Sequence, residues 1–267
     1  MISVIVPTLG TRQMELIRLF DSLENQSNSD FEVILVSQDN EEKIKNLLSD
    51  YNFSHKHIHI NKKGLSHARN VGLNYISGDI VTFSDDDCWY LNNSFEKVHS
   101  YFKNSTAGII CFQMFDPDKN EYLKNYPAEA QPTVSKRGLW SKSSIEIFID
   151  LKKVKKEHLH FDEEFGLGAK YPSGEENILL FDLYSLGYQI AYEPELIVYH
   201  EKKDIVTRLN TKTVLGKGPM FKRMYNTPVS LALITLFFFK KYNLIQGENK
   251  AKLLISSLNE TIRYNKS

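Results

Sequence analysis

The sequence predicts an α/β protein: a mostly parallel, doubly wound sheet flanked by helices, followed by a helical tail. Three observations carry this. Up to residue 83, short β-branched runs alternate with segments whose apolar residues recur at helical spacing. Such alternation makes βαβ units, because parallel strands need helical crossovers. The length, 267 residues, suits one large α/β domain with a small appendage and can enclose a sizeable core. Charge also changes sign along the chain. The totals balance at 33 basic and 33 acidic residues, yet residues 201–267 hold 13 Lys/Arg against 4 Asp/Glu. An acidic body thus precedes a basic tail, and basic segments attract anionic partners such as lipid head groups or nucleic acid.

Taken in order, residues 2–7 (ISVIVP) read as a buried strand broken by Pro and Gly. Residues 13–24 place Met14, Ile17, Leu19, Phe20 and Leu23 at helical spacing. A strand at 31–36, a helix at 41–48, a strand at 57–60 and a helix at 65–76 follow, with Ser66 as a helix cap. Gly78-Asp79 then leads into a strand at 80–83. Beyond residue 87 the pattern loosens. It predicts a helix at 94–102, strands at 109–115 and 145–151, and a loop at 166–174 with three glycines. A helix at 177–186 and two short strands at 189–192 and 196–199 come next. The tail reads as helices. Its longest apolar run, 229–239, is about 11 residues, short of the ~20 that span a bilayer. Residue 1 leads directly into ISVIVPT, without a basic leader or cleavage site, so no signal peptide is expected. Cys88 and Cys111 have no metal or redox spacing and read as free thiols of a reducing compartment.

Doubly wound sheets bind ligands at the carboxyl ends of their strands. There the chain places Asp85-Asp86-Asp87, with only Ser84 between them and IVTF. Three adjacent carboxylates repel one another unless a cation neutralises them, and oxygen-rich clusters suit Mg²⁺ or Mn²⁺. A solvated acidic turn is the alternative. Arg69, in GLSHARNVGL, is suited to clamping phosphate or stacking on a base, and equally to a surface ion pair. Glu175 and Glu176 follow the glycine-rich loop at a helix start, where the helix dipole alone favours carboxylates. Either could also serve as a general base. His200 ends a strand nearby, as a structural imidazole or as a metal ligand beside carboxylates.

These segments, in this order, resemble the family 2 glycosyltransferases of the GT-A fold. The matching motifs are VIVPTLG, GLSHARNVG, FSDDD and GEEN, and the resemblance covers roughly residues 2–201. It implies a GT-A catalytic domain over 1–200, with a nucleotide-sugar part at 1–105 and an acceptor-side part at 106–200. The basic helical tail, 201–267, is then an appendage. Carried over by residue, Pro7, Thr8, Gln38, Asp39 and Arg69 would line the donor nucleotide site. Asp85 and Asp87 would form the DxD pair with Asp86 between them. Asp87 would ligate Mn²⁺ or Mg²⁺, and Asp85 would join it or sit near the ribose or a metal-bound water; His200, read from its own place at a strand end, completes the expected metal set. Glu176 would be the base of an inverting transfer, with Glu175 beside it. The resemblance favours a UDP-sugar donor and a glycan or lipid-linked acceptor, as in members that build capsule, wall or lipopolysaccharide glycans.

Two departures stand out. VSQDN puts Ser37 and Gln38 where many members carry two aspartates, the second of which reads uracil. The acidic pair is Glu-Glu where Glu-Asp is usual. Two other readings compete: a sugar-phosphate nucleotidyltransferase, and a non-catalytic scaffold on a transferase fold. TLGTRQME, with one Gly and one Arg, is a poor triphosphate-binding turn for the first. The expected partner of the tail is an anionic membrane surface rather than nucleic acid. Lys202, Lys203 and Arg208 open it, Lys240-Lys241 follow its apolar run, and Phe237–Phe238–Phe239 suit an interfacial helix. The location that follows is cytoplasmic, peripheral at the inner face of the cell membrane.

Overall fold

The computed structural model describes residues 1–202, 209–245 and 249–265. Lys203 and Arg208 of the tail therefore lie outside the described residues. The chain divides into two compact units. The first comprises Met1–Lys63, His67–His160 and Leu183–Lys202. The second gathers Gly64–Ser66, Phe161–Asp182 and Lys203–Ser267. Residues 161–182, which the sequence assigns to the acceptor-side part, thus pack with the tail.

The first unit is built on a nine-stranded sheet. Its strands are β1 (Ile2–Thr8), β2 (Phe31–Ser37), β3 (His55–His59), β4 (Ile80–Phe83), β5 (Cys88–Tyr90), β6 (Ile109–Asp116), β7 (Glu121–Tyr122), β8 (Ile147–Asp150) and β9 (Ile190–His200). Their order is β3-β2-β1-β4-β8-β6-β9-β5, with β7 paired to β6. The run β3-β2-β1-β4 is parallel throughout. β1 and β2 are buried along their whole length, which is why both read as unbroken apolar runs. Beyond β4 the sheet is mixed: β8 is antiparallel to β4 and β6, whereas β6 and β9 run parallel. The helices α1 (Gln13–Glu24), α2 (Glu41–Leu48), α3 (Leu65–Leu73) and α4 (Ser94–Asn104) connect the strands. Leu16, Leu19, Phe20 and Leu23 of α1 join Val4, Val6, Val33 and Leu35 in one core.

Three expectations change. The strand expected at 145–151 begins later, because Ser144–Glu146 forms a 3-10 turn closed by a capping box. Glu146 folds back to accept from Ser143 N at 3.1 Å, and its other oxygen accepts from Tyr126 Oη at 2.9 Å. The two short strands at 189–192 and 196–199 are one strand, β9. Its register against β6 shifts between Cys111 and Gln113, so Pro194 falls where the ladder is already broken. Ser66 does not cap α3 with its side chain, since it lies inside the helix and its hydroxyl donates to the Phe165 carbonyl.

The second unit contains the start of α5 (Glu175–Ser185), then α6 (Thr211–Met224), α7 (Thr227–Lys240) and α8 (Lys250–Arg263). Asn210, Asn226 and Asn249 each cap the helix that follows by accepting a backbone N–H. Val214, Phe238, Ile245 and Leu253 form a small core of their own. Among the described residues no helix is long and apolar enough to cross a membrane.

Candidate active site

Thr8 ends β1, Ser37 ends β2, Asp85 follows β4 by one residue, and His200 ends β9. All lie at carboxyl ends of strands, so the sheet itself collects them. Thr8 Oγ1 donates to Asp86 Oδ2 at 2.7 Å. Arg69 is fully buried and donates from one nitrogen to Asp85 Oδ1 at 2.9 Å and to Ser144 Oγ at 2.8 Å. An enclosed guanidinium with two hydrogen-bonded acceptors is fixed in place and is not a surface ion pair. Pro7 is buried in β1. Gln38 is buried beside it, its N–H donating to the Thr8 carbonyl at 2.9 Å. Asp39 turns outward and pairs with Lys63 at 2.8 Å, a hydrogen bond that holds its pKa below the usual range. Ser37 Oγ lies 3.0 Å from His59 Nδ1 and 2.9 Å from His57 Nε2.

Asp85, Asp87 and His200 each offer a ligand atom, all within 4.8 Å of one another. His200 Nδ1 sits 2.6 Å from the Glu201 carbonyl and therefore donates to it. Its Nε2 faces Asp87 Oδ1 at 3.2 Å. Two electron-rich atoms face each other favourably only with a proton or a cation between them. Two carboxylates and an imidazole, its other nitrogen fixed by a carbonyl, make a donor set suited to Mn²⁺ or Mg²⁺. The residues present fit a metal.

Two residues of this site escape sequence reasoning. Arg12 donates to Asp86 Oδ1 at 3.1 Å and to Asp87 Oδ2 at 2.6 Å, supplying positive charge to the triplet. Its own pKa is raised: burial opposes this, and the charges of Asp87 and Asp86 outweigh it. Asp86 is pushed upward by burial, against the Thr8 hydrogen bond and Arg12. Arg18 donates to the Asp87 carbonyl at 3.3 Å, pairs with Glu201 at 2.9 Å and lies 3.6 Å over the Trp89 ring. The one available signal was Arg12's place just after β1. Cys88, buried between Ser84 and the Asp85 carbonyl, has its thiol pKa pushed far up by burial and is inert.

Glu175 and Glu176 lie in the second unit, as the first two residues of α5. Glu175 is buried and Glu176 half-buried. The loop before them turns on left-handed glycines, and at Gly174 (φ 103°) a Cβ would sit 2.3 Å from Met220 Sδ. Thr8, Arg12, Arg69 and His200 thus meet the acidic triplet, Asp39 pairs with Lys63 instead, and the glutamate pair belongs to the second unit.

Comparison with known proteins adds three findings. The family model described as "Glycosyl transferase family 2" matches residues 3–166. A GalNAc(5)-diNAcBac-PP-undecaprenol beta-1,3-glucosyltransferase of Campylobacter jejuni is 30% identical over 172 residues, 61% of this chain and 55% of the relative. Glycosyltransferase GlyA of Streptococcus pneumoniae is 25% identical over 230 residues, 79% of this chain and 32% of the relative. The chain thus spans about half the length of the first of these relatives, 55%, and less of the second. Among solved structures, Staphylococcus aureus TarS 1-349 in complex with UDP-GlcNAc superposes with a TM-score of 0.73 at 16% identity, covering 98% of this chain and 81% of that one. The mannosyltransferase PcManGT from Pyrobaculum calidifontis, in complex with GDP-Man and Mn2+, gives 0.61 at 12% identity, covering 98% and 87%. At such identities the likeness shows the fold, which is of the GT-A type.

Proposed function

Because the chain belongs to glycosyl transferase family 2, we propose that it transfers a sugar, with inversion, from a nucleotide-diphosphate donor to a hydroxyl of a glycan or lipid-linked acceptor. The observation that carries this is the convergence of Asp85, Asp87 and His200 at the carboxyl ends of the sheet strands, where sheets of this kind bind ligands. These three residues would hold Mn²⁺ or Mg²⁺, which as a Lewis acid supplies charge for the leaving diphosphate.

The chain's own groups do the rest. Pro7, Thr8, Gln38 and Asp39 line the nucleotide side. Arg69, locked by Asp85 and Ser144, keeps the first aspartate of the triplet oriented. Glu176 takes the acceptor's proton as its oxygen attacks the anomeric carbon and the bond to the diphosphate breaks. Glu175 orients the acceptor. The printed names of the neighbours, one bound to UDP-GlcNAc and one to GDP-Man with Mn2+, support a nucleotide-sugar donor. The Campylobacter relative's name supports a lipid-linked acceptor. Since His57 and His59 engage Ser37 where many members carry aspartate, base recognition falls to Gln38 and Asp39.

Association with an anionic membrane surface is part of the same proposal. On α7 only Ser230, Ile234 and Phe238 are buried, while Val229, Leu236 and Phe239 are exposed and Lys240 ends the helix. An apolar face beside lysines suits an interfacial helix.

The test is hydrolysis of UDP- and GDP-sugars, with water as acceptor, with and without Mn²⁺. Asp87→Ala should abolish Mn²⁺-dependent donor binding. Glu176→Gln should cut turnover by about 10²-fold or more and leave donor binding unchanged. Equal nucleoside diphosphate affinity with and without Mn²⁺ would sink the metal assignment. A dead Glu175→Gln beside an active Glu176→Gln would move the base by one residue.

A further inference from the structure

The sequence presents the basic tail as a surface-facing appendage. Its first helix, α6, instead turns one row of side chains onto the acidic segment of its own unit. Lys217, Met220 and Arg223 are three apart and share a helix face. Lys217 Nζ donates to Ser173 Oγ at 3.2 Å. Met220 packs so closely on Gly174 that no side chain fits there. Arg223 donates to Asp162 at 2.8 Å and forks onto both Asp182 oxygens at 3.1 and 2.7 Å. Ser173 and Gly174 lead directly into Glu175 and Glu176, and Asp182 lies on α5 beyond them. α6 therefore grips the helix start from both sides along the chain.

Lys217 is the costly member of this row. The residue is half-buried, with its ammonium at the buried end. Burial pulls its pKa down, and the charges of Glu176 and Glu175 pull it back up. An ammonium survives in such a place only beside carboxylates. Two adjacent carboxylates repel, and a cation beside them offsets that repulsion.

We propose that Lys217 is a positioning residue for sugar transfer, its ammonium, anchored on Ser173 two residues before Glu175, facing the Glu175–Glu176 pair and keeping Glu176 aimed at the acceptor's proton. This rests on the reading of Glu176 as the base. It gives the basic tail a part in the chemistry, separate from any role at a membrane. Lys217 itself touches no reacting atom.

The experiment uses the full chain in two measurements. In the first, lysine ¹³Cε resonances are titrated by NMR, with Lys217→Arg to assign the signal. Lys217 should titrate below the other lysines, and Glu176→Gln should lower its midpoint by about one further pH unit. The second is Mn²⁺-dependent hydrolysis of a UDP-sugar. Lys217→Met keeps most of the apolar stem, and should lower kcat about tenfold with donor KM within about twofold. Lys217→Arg should recover most of the loss. In a Glu176→Gln background, Lys217→Met should cost less than about twofold, because the two act as one unit. A Lys217 midpoint equal to those of the other lysines and unmoved by Glu176→Gln overturns the proposal even if Lys217→Met does not fold. Normal kcat in Lys217→Met overturns it too, with the base intact. Full hydrolysis in Glu176→Gln refutes the base assignment, and this proposal with it.

Discussion

Replacing Arg12 with Gln should have opposite effects on the metal-free and the metal-loaded protein. One guanidinium nitrogen is shared between Asp86 at 3.1 Å and Asp87 at 2.6 Å. Arg12 is 42% exposed, so each contact is screened and worth about 0.5–1 kcal/mol. The carboxylates are only 14% and 11% exposed and cannot rehydrate fully once Arg12 is gone, which keeps the total near 1–2 kcal/mol. In a chain of this size 1 kcal/mol moves Tm by about 2–4 °C, so Arg12→Gln without divalent cation should melt roughly 3–6 °C lower. Added Mn²⁺ reverses the sign. At the proposed site the cation and Arg12 would compete for the same Asp87 carboxylate, and removing a competitor worth about 1.4 kcal/mol should tighten Mn²⁺ binding about tenfold. Melting with and without Mn²⁺, together with Mn²⁺ calorimetry, reads both effects. Unchanged or weaker Mn²⁺ affinity in Arg12→Gln would show that Arg12 is not the resident counter-charge of the triplet.

Three further outcomes are expected. Buried Glu32 accepts from Ser3 at 2.7 Å, from Ser77 N and from Lys56 at 3.0 Å, and these bonds hold its pKa below the ordinary range against the upward pull of burial. Its contribution is full above the unfolded value of about 4.3 and lost as pH falls through the folded one. Glu32→Gln should therefore be less stable by about 1–3 kcal/mol at pH 7, a gap that closes below pH 4 in urea titrations, and a constant gap would contradict this. Gly174→Ala should destabilise by about 1–3 kcal/mol, since both its φ and Met220 exclude a Cβ, and Met220→Ala should recover part of the loss in thermal melts. Leu236→Asp with Phe239→Asp should lower flotation on anionic liposomes; equal flotation would argue against α7 as the contact.

What could be read from the sequence is what local physics writes into it. β1, β2 and β4 were legible because central parallel strands, buried on both faces, leave continuous β-branched runs, and because glycines punctuate them; the edge strand β3, HKHIH, carries no such run and starts two residues before its expected place. The carboxylate triplet was legible as a candidate site because it follows a strand of a doubly wound sheet. β5 and β7 were not, because each is only a few residues long and owes its extended form to pairing with β9 and β6. Nor was the single strand β9, whose Pro194 reads locally as a break and is tolerated only at a register shift.

The acidic triplet is contiguous in the chain and announces itself by its repulsion. Its cationic partner does not. Arg12 meets Asp87 from 75 residues away, and within the second unit Lys217 meets Ser173 from 44. A lysine or arginine in a sequence looks the same whether it faces water or a buried carboxylate. The tail's composition suggested a charged surface, yet Lys217 and Arg223 turn inward to the acidic segment. The sequence by itself determined the α/β class, the parallel half of the sheet and the carboxylates with a site's chemistry. Only the tertiary structure decided which cations answer them, because ion pairing depends on a few ångströms of separation that long-range folding sets.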